Sequence, residues 1–391
     1  MSSATGKVLL FGGFCILFPN HTGVVLSVDS RASVQCVHIP TSSSFLLINC
    51  SSSYDSWSWS LNLSSLHPTL LSPLNNSFII NTIVVFLSYL KFTGSNLLSC
   101  SGQLDIKTSL DPGFSVVIDD KNKLLKTGLG SSAAVTVALF RELIRIFSFN
   151  NCSSSLFPSS VVASLAHVAH NWSQGGIGSG FDIFSAVCGH SIFTRTICTN
   201  FPSFDPLNFD PNYLNLFESC KKAVVPSNSH LVLFKFLNEN SSESASSPSL
   251  SRRVIKALEF LPTRELFEKY CCCCSKISLK FSTFSSWSDP ILVNDLLTLS
   301  QEIRSLMSKF SHISGVEVIP KELEQVFSII PTVFSHLPVV YSFSGAGGFD
   351  SFWMLFPYSF ESDILISQLI DVCRNSIEVV LYKVDTQLCA E

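Results

Sequence analysis

A glycine-rich stretch in the first half of the chain constrains the fold more than any other feature of the sequence. It reads Lys126-Thr-Gly-Leu-Gly-Ser-Ser-Ala-Ala-Val-Thr136, and it runs into a helix-forming segment that continues to Phe147. Glycine lets the backbone approach a ligand closely. The start of a helix offers unpaired N–H groups and a partial positive charge, which suit phosphate. The spacing fits neither the nucleotide pattern G-x-x-x-x-G-K-[ST] nor the dinucleotide pattern G-x-G-x-x-G. The stretch therefore predicts a phosphate-binding turn of another kind, followed by a helix.

Three other segments share this glycine-rich character. The first is Gly6-Lys-Val-Leu-Leu-Phe-Gly-Gly-Phe-Cys-Ile-Leu17, where a strand pattern carries a lysine and ends in a Gly-Gly turn. The second is His170-Asn-Trp-Ser-Gln-Gly-Gly-Ile-Gly-Ser-Gly-Phe-Asp182, which ends in an acidic residue. The third is Ser344-Gly-Ala-Gly-Gly-Phe-Asp350, close to the C-terminus.

Taken in this order, the lysine strand, the central loop and the last glycine-rich segment resemble the three motifs of the GHMP kinases, the family of galactokinase, homoserine kinase and mevalonate kinase. The resemblance implies an α+β, two-domain fold with an N-terminal ribosomal-protein-like α/β domain and a C-terminal ferredoxin-like α+β domain. We place these domains at residues 1–215 and 216–391, because the prolines between about 200 and 228 indicate a joint. The acidic motif and the Phe349-Asp350 ending are similar to those of the phosphomevalonate kinase branch.

This resemblance implies phosphoryl transfer from ATP to the phosphate of (R)-5-phosphomevalonate, giving (R)-5-diphosphomevalonate on the route to isoprenoids. It implies Mg²⁺ as cofactor, held by Ser132 or Ser131, and Lys7 and Asp182 as catalytic residues. The ATP-binding residues expected from the central loop are Lys126, Thr127, Gly128, Leu129, Gly130, Ser131, Ser132, Ala133 and Ala134. The substrate-binding residues expected from the other motifs are Lys7, Gln174, Ser179, Gly180, Asp182, Arg195, Gly345, Ala346, Gly347 and Gly348.

The two catalytic candidates have different predicted roles. Lys7 is the cation that we place on the transferring phosphoryl group, since both reactants are polyanions. The acceptor is a phosphate whose second pKa is about 6, so its oxygen is already ionised at neutral pH. We therefore expect Asp182 to orient Lys7 or the metal, with proton removal a minor part. The alternative for Asp182 is an N-cap of a helix over Ile183–Val187.

One position departs from the pattern of the phosphomevalonate kinases. Those proteins generally carry a lysine where this chain has Gly176, so a cation near the acceptor phosphate is missing, and Arg195 or Lys126 could compensate. Two alternatives stay open: another small-molecule kinase of the family, such as mevalonate kinase, and a catalytically silent binding protein. A mevalonate kinase should carry a metal-binding glutamate eleven residues before Asp182, where this chain has Asn171.

Composition alone would indicate a membrane protein. The chain has 46% hydrophobic residues, 33 Phe and only 14% charged residues, yet no window supplies the 18 apolar residues of a spanning helix. Val8 to Phe18 could pass for a signal-peptide core, but we expect a cytoplasmic protein without membrane or nucleic-acid partners, monomeric or weakly dimeric. The net charge of −4 provides no basic face for nucleic acid.

Four of the 14 cysteines are consecutive, Cys271 to Cys274, and their spacing is not that of a zinc site. We favour the interpretation that these cysteines are reduced, buried thiols. Metal binding or redox chemistry is the alternative.

Periodicity gives the coarse order of elements. Strands are predicted at Val8–Leu10, Val24–Val28, Ala32–His38, Phe114–Ile118, Leu231–Phe236 and Val379–Val384. Helices are predicted at Asn81–Phe92, Ala133–Phe147, Ser160–Trp172, Leu250–Phe260, Pro290–Phe310, Lys321–Ser328 and Asp363–Cys373. Thr41–Ser65 and Asn238–Ser251 are rich in serine and predicted as loops, the former with an irregular hairpin as the alternative.

Overall fold

The chain forms two compact units that are interleaved along the sequence. The first comprises residues 1–7, 30–189 and 196–219, and the second comprises residues 8–29, 190–195 and 220–391. The computed structural model describes residues 1–53, 55–118, 123–151, 157–176, 178–195, 204–236, 247–345, 351–374 and 379–385. The division into consecutive domains 1–215 and 216–391 stays a prediction.

Two long strands, β1 (Ser2–Phe11) and β2 (Thr22–Pro40), each contribute residues to both units. In the first unit, residues 32–40 of β2 pair antiparallel with β6, which in turn pairs in parallel with β3. β4 pairs antiparallel with β3 and β5, and β7 forms a separate hairpin with β8. The bounds are Phe45–Ser51 for β3, Ser56–Asn62 for β4, Pro68–Leu70 for β5, Gly102–Leu110 for β6, Ser115–Ile118 for β7 and Lys123–Lys126 for β8.

Four helices of the first unit pack on one another: α1 (Ser77–Phe92), α2 (Ser131–Asn151), α3 (Ser159–Ser173) and α4 (Phe181–Cys188). Small side chains permit this close packing, since Ala134 and Ala138 of α2 and Ala163 and Ala166 of α3 are fully buried. Phenylalanine fills the remaining space; the ring of Phe86 in α1, for instance, lies 6.2 Å from that of Phe140 in α2. This packing fixes the N-terminal ends of α2 and α4, on which the candidate site depends.

The second unit has a four-stranded antiparallel sheet in the order β12-β13-β11-β14. Phe234 of β11 and Phe352 of β13 are opposite each other in the register, and their rings stack 4.5 Å apart. Residues 22–25 of β2 pair antiparallel with β9, which also pairs with β10. The bounds are Ser191–Thr194 for β9, Lys221–Lys222 for β10, Ser229–Phe236 for β11, Ser247–Ala257 for α5, Leu261–Phe281 for α6, Pro290–Ser314 for α7, Lys321–Val333 for α8, Val340–Phe343 for β12, Ser351–Pro357 for β13, Phe360–Arg374 for α9 and Val379–Asp385 for β14.

Some predicted elements differ from the structure. The segment 41–65, predicted as a loop or an irregular hairpin, holds a regular hairpin in which β3 and β4 pair from Phe45↔Asn62 to Ser51↔Ser56. The predicted loop 238–251 lies outside the described residues up to 246, and α5 begins at Ser247. Within the described part of the chain, no helix is long and apolar enough to cross a membrane.

The consecutive cysteines lie in α6 and are free thiols. Cys271, Cys273 and Cys274 are buried, whereas Cys272 is exposed. The Cys15 thiol lies 3.1 Å from the Cys271 sulfur, and burial is the main cause that raises the pKa of Cys15. Among the described residues, no group of three or more His, Cys, Asp or Glu side chains is arranged to hold a metal.

Candidate active site

Strand β1 fixes Lys7 against the central glycine-rich loop. Its backbone N–H donates to the Leu129 carbonyl at 2.8 Å, and its ammonium nitrogen Nζ donates to the Gly128 carbonyl at 2.8 Å. Gly6 leaves room for this approach, since a Cβ there would lie 3.1 Å from the Leu129 oxygen, a tight contact. Lys7 Nζ also lies 4.9 Å from the centre of the Phe181 ring, a distance at which a cation is attracted to an aromatic face.

The loop turns sharply before α2. Gly128 and Gly130 have φ values of +77° and +78°, a region that favours glycine. Helix α2 begins at Ser131, and the Ala134 N–H donates to the Gly130 carbonyl at 3.1 Å. The first N–H groups of a helix have no partner within it, and the dipole of this 21-residue helix adds partial positive charge there. The predicted turn and helix start are therefore present, and anion binding there stays a prediction.

Gly130 lies next to both catalytic candidates. A Cβ on Gly130 would lie 3.2 Å from Lys7 Cε and 3.6 Å from Asp182 Cβ. Lys7 and Asp182 thus flank the same glycine although 175 residues separate them in the sequence. The Asp182 side chain accepts a hydrogen bond from the Ile183 N–H at 3.0 Å.

The N-cap alternative for Asp182 is wrong. Helix α4 starts at Phe181, two residues earlier than expected, and its N-cap is Gly180 with φ +86°. Asp182 lies within the first turn, where a carboxylate is favoured by the helix dipole. A Cβ at Gly180 would lie 2.7 Å from the His167 ring, so glycine is required by both the backbone angle and the neighbour.

A buried histidine, His170, contacts Ser132, the residue predicted to bind the metal. His170 Nε2 lies 3.0 Å from the Ser132 hydroxyl oxygen, within hydrogen-bond distance. The His170 side chain is buried, and burial lowers its pKa, although the Asp182 charge acts in the opposite direction. The imidazole is therefore neutral at neutral pH. Its ring also contacts that of Phe78 at 5.1 Å.

The other candidate residues of the central loop and the acidic motif differ in burial. Thr127, Leu129, Ala133 and Ala134 are buried, and the Thr127 hydroxyl donates to the Gly113 carbonyl at 2.9 Å. These residues shape the loop through their backbone. Gln174 is exposed at the end of α3, Ser179 is half-buried and Gly180 is buried. Lys126 ends β8, and its side chain lies outside the described part.

Asn171 explains how the acidic motif is held. Its amide Nδ2 donates to the Gly178 carbonyl at 2.9 Å, and the whole residue is buried. A Cβ on Gly178 would lie 2.9 Å from the Gln174 Oε1 atom. At the position where a mevalonate kinase should have a metal-binding glutamate, this chain therefore has a residue that fastens the loop before Asp182.

Two substrate candidates belong to the second unit. Arg195 Nη1 donates to the carbonyls of Ile16 and Leu17, at 3.3 and 3.0 Å. Gly345 packs directly on Gly13, since a Cβ at Gly13 would lie 1.7 Å from the Gly345 oxygen. Ala346, Gly347 and Gly348 lie outside the described residues.

Phe181 and Gly6 were not among the predicted site residues. Phe181 is adjacent to Asp182 in the acidic motif, and Gly6 precedes Lys7, so each lies next to a predicted catalytic residue. No pattern in the sequence indicated that the Phe181 ring lies near the Lys7 ammonium. That contact arises only when the folded chain brings Lys7 of β1 close to Phe181 of α4.

Comparison with known proteins agrees with the motifs. Residues 95–190 match the family model described as GHMP kinases N terminal domain. The phosphomevalonate kinase of Candida albicans is 27% identical over 214 residues, covering 49% of this chain and 48% of that protein. The Arabidopsis thaliana protein named "Phosphomevalonate kinase, peroxisomal" is 26% identical over 261 residues, covering 50% of each. The chain thus spans about half the length of the curated relatives it matches.

A solved structure extends the similarity to nearly the whole chain. The structure described as "Streptococcus pneumoniae Phosphomevalonate Kinase in Complex with Phosphomevalonate and AMPPNP" superposes with a TM-score of 0.63 at 15% identity. It covers 97% of this chain and 98% of the pneumococcal chain. The chain therefore has the α+β GHMP kinase fold, as the motifs predicted. Its sequence similarity is to proteins named phosphomevalonate kinase, and this resemblance too is confirmed.

Proposed function

We propose that the protein is an ATP-dependent phosphotransferase that converts (R)-5-phosphomevalonate to (R)-5-diphosphomevalonate, a step in isoprenoid and sterol biosynthesis. The observation that carries this proposal is that the Lys7 and Asp182 side chains both lie beside Gly130, at the N-terminus of α2. The pneumococcal protein of the same fold binds phosphomevalonate and an ATP analogue, AMPPNP. That ligand pair supports the choice of donor and acceptor.

In this proposal, the glycine-rich loop and α2 hold the phosphates of ATP. Backbone N–H groups and the helix dipole attract the phosphate oxygens, and the glycines leave room for them. Lys7 stabilises the charge that spreads over the transferring phosphoryl group. The Phe181 ring and the Gly128 carbonyl limit the positions that the Lys7 ammonium can take.

The residues present fit a Mg²⁺ site of the usual kinase type. Mg²⁺ prefers oxygen ligands and takes only one or two from the protein, with waters and substrate phosphates completing its shell. The Ser132 hydroxyl is the proposed ligand, with Ser131 as the neighbouring alternative, and His170 fixes the position of the Ser132 oxygen. Bound there, Mg²⁺ would neutralise the negative charge of the ATP phosphates.

We assign Asp182 an orienting role. The acceptor phosphate is ionised at neutral pH, so no group has to remove a proton before attack. The Asp182 carboxylate lies beside Gly130 in the first turn of α4, where it can hold the Lys7 ammonium or the metal in place. Gln174, Ser179, Gly180 and Arg195, with the segment 345–348, remain the proposed contacts of the acceptor.

Partners and compartment are also proposals. We propose ATP and 5-phosphomevalonate as the substrates, a monomeric or weakly dimeric state, no nucleic-acid or membrane partner, and the cytoplasm as compartment. The name of the Arabidopsis relative makes the peroxisome the competing compartment. A fluorescent fusion imaged beside a peroxisomal marker distinguishes the two.

The experiment that tests the function measures ADP release by the purified chain with Mg·ATP and a panel of acceptors: 5-phosphomevalonate, mevalonate, homoserine and galactose. We expect release to require 5-phosphomevalonate. Faster turnover with mevalonate would instead identify a mevalonate kinase, although Asn171 in place of a glutamate disfavours that outcome. A folded chain that binds ATP but releases no ADP with any acceptor would identify a silent relative.

A further inference from the structure

The second unit contains a cavity of about 630 Å³ that the proposed function does not use. It lies between α7, α8 and the start of β12, and its volume is within the usual range for small-molecule sites. One wall is apolar, with Phe327, Ile330, Phe334 and Leu337. Arg304 of α7 also lines the cavity.

Arg304 is held rigidly in this cavity. Its Nη1 donates to the Ser300 hydroxyl oxygen and to the Tyr341 carbonyl. Its guanidinium carbon lies 3.7 Å from the centre of the Tyr341 ring and 5.6 Å from that of Phe327. Both contacts fix the plane of the guanidinium, so a ligand would meet a group that is already oriented.

The remaining edge of Arg304 is available to a ligand. Within the described part of the chain, its Nε and Nη2 atoms have no hydrogen-bond partner, and no carboxylate lies within ion-pair distance of the guanidinium. Burial lowers the pKa of Arg304 to about 10, so the group still carries its charge at neutral pH. Cations removed from water are normally paired, and the Nε–Nη2 edge matches the two oxygens of a carboxylate or phosphate.

A second charged residue limits the charge of the ligand. Glu324 also lines the cavity, and its carboxylate accepts a hydrogen bond from Ser308, one turn after Arg304 in α7. A ligand with two or more negative charges would be repelled by this carboxylate. The lining therefore favours a single negative charge attached to a hydrocarbon portion that can cover Phe334 and Leu337.

We propose that this cavity is a binding site for a small organic monoanion, with its oxyanion paired to Arg304 and its hydrocarbon part against the α8 wall. A carboxylate and a singly ionised phosphate ester share this chemistry. The site lies within the second unit and does not depend on the phosphotransferase activity.

Calorimetric titration of the full chain without nucleotide tests the proposal. The probes are octanoate, octyl phosphate, octanol, octylammonium and inorganic phosphate. We expect octanoate to bind, octyl phosphate to bind more weakly as its second charge develops with rising pH, and the other three to bind at least about tenfold more weakly than octanoate. Equal binding of octanol and octanoate would overturn the role of Arg304.

Paired variants locate the site. Arg304→Gln should weaken octanoate binding by about 10- to 100-fold, while Lys309→Gln, which removes an exposed cation from the same helix, should leave it unchanged. Glu324→Gln should strengthen binding by roughly two- to fivefold, because it removes a repulsive charge. If Glu324→Gln weakens octanoate binding, or if no probe binds at millimolar concentration, the proposal is wrong. The Glu324→Gln and probe comparisons stand even if Arg304→Gln fails to fold.

Discussion

Gly130 combines a left-handed backbone angle with a position beside both predicted catalytic side chains. Its φ of +78° favours glycine, and the space where a Cβ would stand is bounded by the side chains of Lys7 and Asp182. Gly94 has nearly the same backbone angle, +81°, but no atom lies within 4 Å of its potential Cβ. These two glycines allow backbone strain to be separated from crowding of the candidate site.

We expect Gly130→Ala and Gly94→Ala to lower the free energy of unfolding by a similar amount, about 1–2 kcal/mol, because each puts a side chain at positive φ. Only Gly130→Ala should reduce turnover strongly, by roughly 10²-fold, because the new methyl group displaces Lys7. Urea unfolding and ADP release measure the two effects. Equal turnover in the two variants would show that Lys7 and Asp182 need not stand where they do.

The pH dependence of turnover distinguishes the role of Lys7 from that of Asp182. Lys7→Met should lower turnover by about 10²- to 10⁴-fold at every pH, since it removes an electrostatic stabiliser. Asp182→Asn keeps size and hydrogen bonding, so an orienting role predicts a partial loss. The activity of that variant should still rise through about pH 6, as the acceptor phosphate ionises. An Asp182→Asn protein that is folded and binds ATP, yet is inactive from pH 6 to 9, would restore the general-base role.

At this scale, local motifs were sufficient for some contacts and not for others. Lys7, Gly130 and Asp182 each lie in a glycine-rich motif, so a family resemblance could single them out. The pairing of Ser132 with His170 depends on α3 packing beside α2, and neither residue type alone indicates it. The proximity of Phe181 to Lys7 depends in the same way on tertiary packing.

Among the elements, α2 is held by the buried carboxylate of Glu142, near the middle of the helix. Glu142 is fully buried, and its carboxylate accepts hydrogen bonds from Arg145, from the Ser2 hydroxyl at 2.7 Å and from the Cys36 N–H at 3.2 Å. Burial alone would raise the pKa of Glu142, but these bonds outweigh it and lower the pKa to about 2. The helix is thereby tied to β1 and β2 within the first unit.

Glu142 should therefore contribute acid-sensitive stability. Its pKa is lower in the folded chain than the ordinary value of 4.5, so its contribution is complete above pH 4.5 and is lost as the pH falls toward 2. We expect Glu142→Gln to reduce the free energy of unfolding at pH 7 by on the order of 1–3 kcal/mol, with the difference from the natural chain shrinking between pH 4.5 and 3. Glu218→Gln, an exposed position in the same unit, is the matched control. A difference that stays constant with pH would contradict this assignment.

Several strands and helices that were not predicted nevertheless show a regular spacing of buried residues. In β6, Leu104, Ile106 and Thr108 are buried alternately, which is the pattern of a half-buried strand. In α6, buried positions recur at Phe267, Tyr270, Cys274 and Ile277, which is helical spacing. The four cysteines drew attention to thiol chemistry, whereas counting them as small apolar residues reveals the helix.

For the whole molecule, the interleaving of the two units has a testable effect. Trp353 of β13 is fully buried, and its indole N–H donates to the Leu10 carbonyl at 3.0 Å as well as to the Phe343 carbonyl at 3.2 Å. The Phe11 ring meets the indole edge-on at 5.0 Å. The segment 8–29 is thus part of the core of the second unit.

We expect a fragment of residues 220–391 to lack the near-ultraviolet circular dichroism of a packed tryptophan and to unfold without a cooperative transition. The same fragment preceded by residues 8–29 and a flexible Gly/Ser linker should recover both properties. A control in which the joined segment has a scrambled order should not. Cooperative unfolding of the fragment alone would show that the segment 8–29 is dispensable.

The high hydrophobic content finds its explanation at the same scale. Large apolar side chains fill the core of each unit, with Phe86 and Phe140 fully buried in the first and Phe234, Phe310 and Phe352 in the second. Composition alone could not distinguish such cores from membrane-facing surface, because it carries no information on position. The motifs were needed to decide, since they fixed the fold to which the apolar residues belong.

The packing of Gly13 against Gly345 has a consequence for synthesis on the ribosome. The segment 8–29 leaves the exit tunnel early, but most of its unit begins only at residue 220. At about 5–20 residues per second, the roughly 190 residues between them take roughly 10–40 seconds to translate. During that interval Phe11, Phe14 and Ile16 lack the neighbours that bury them in the finished protein. We expect the nascent chain to offer this apolar segment to a chaperone until residues 220–391 have emerged.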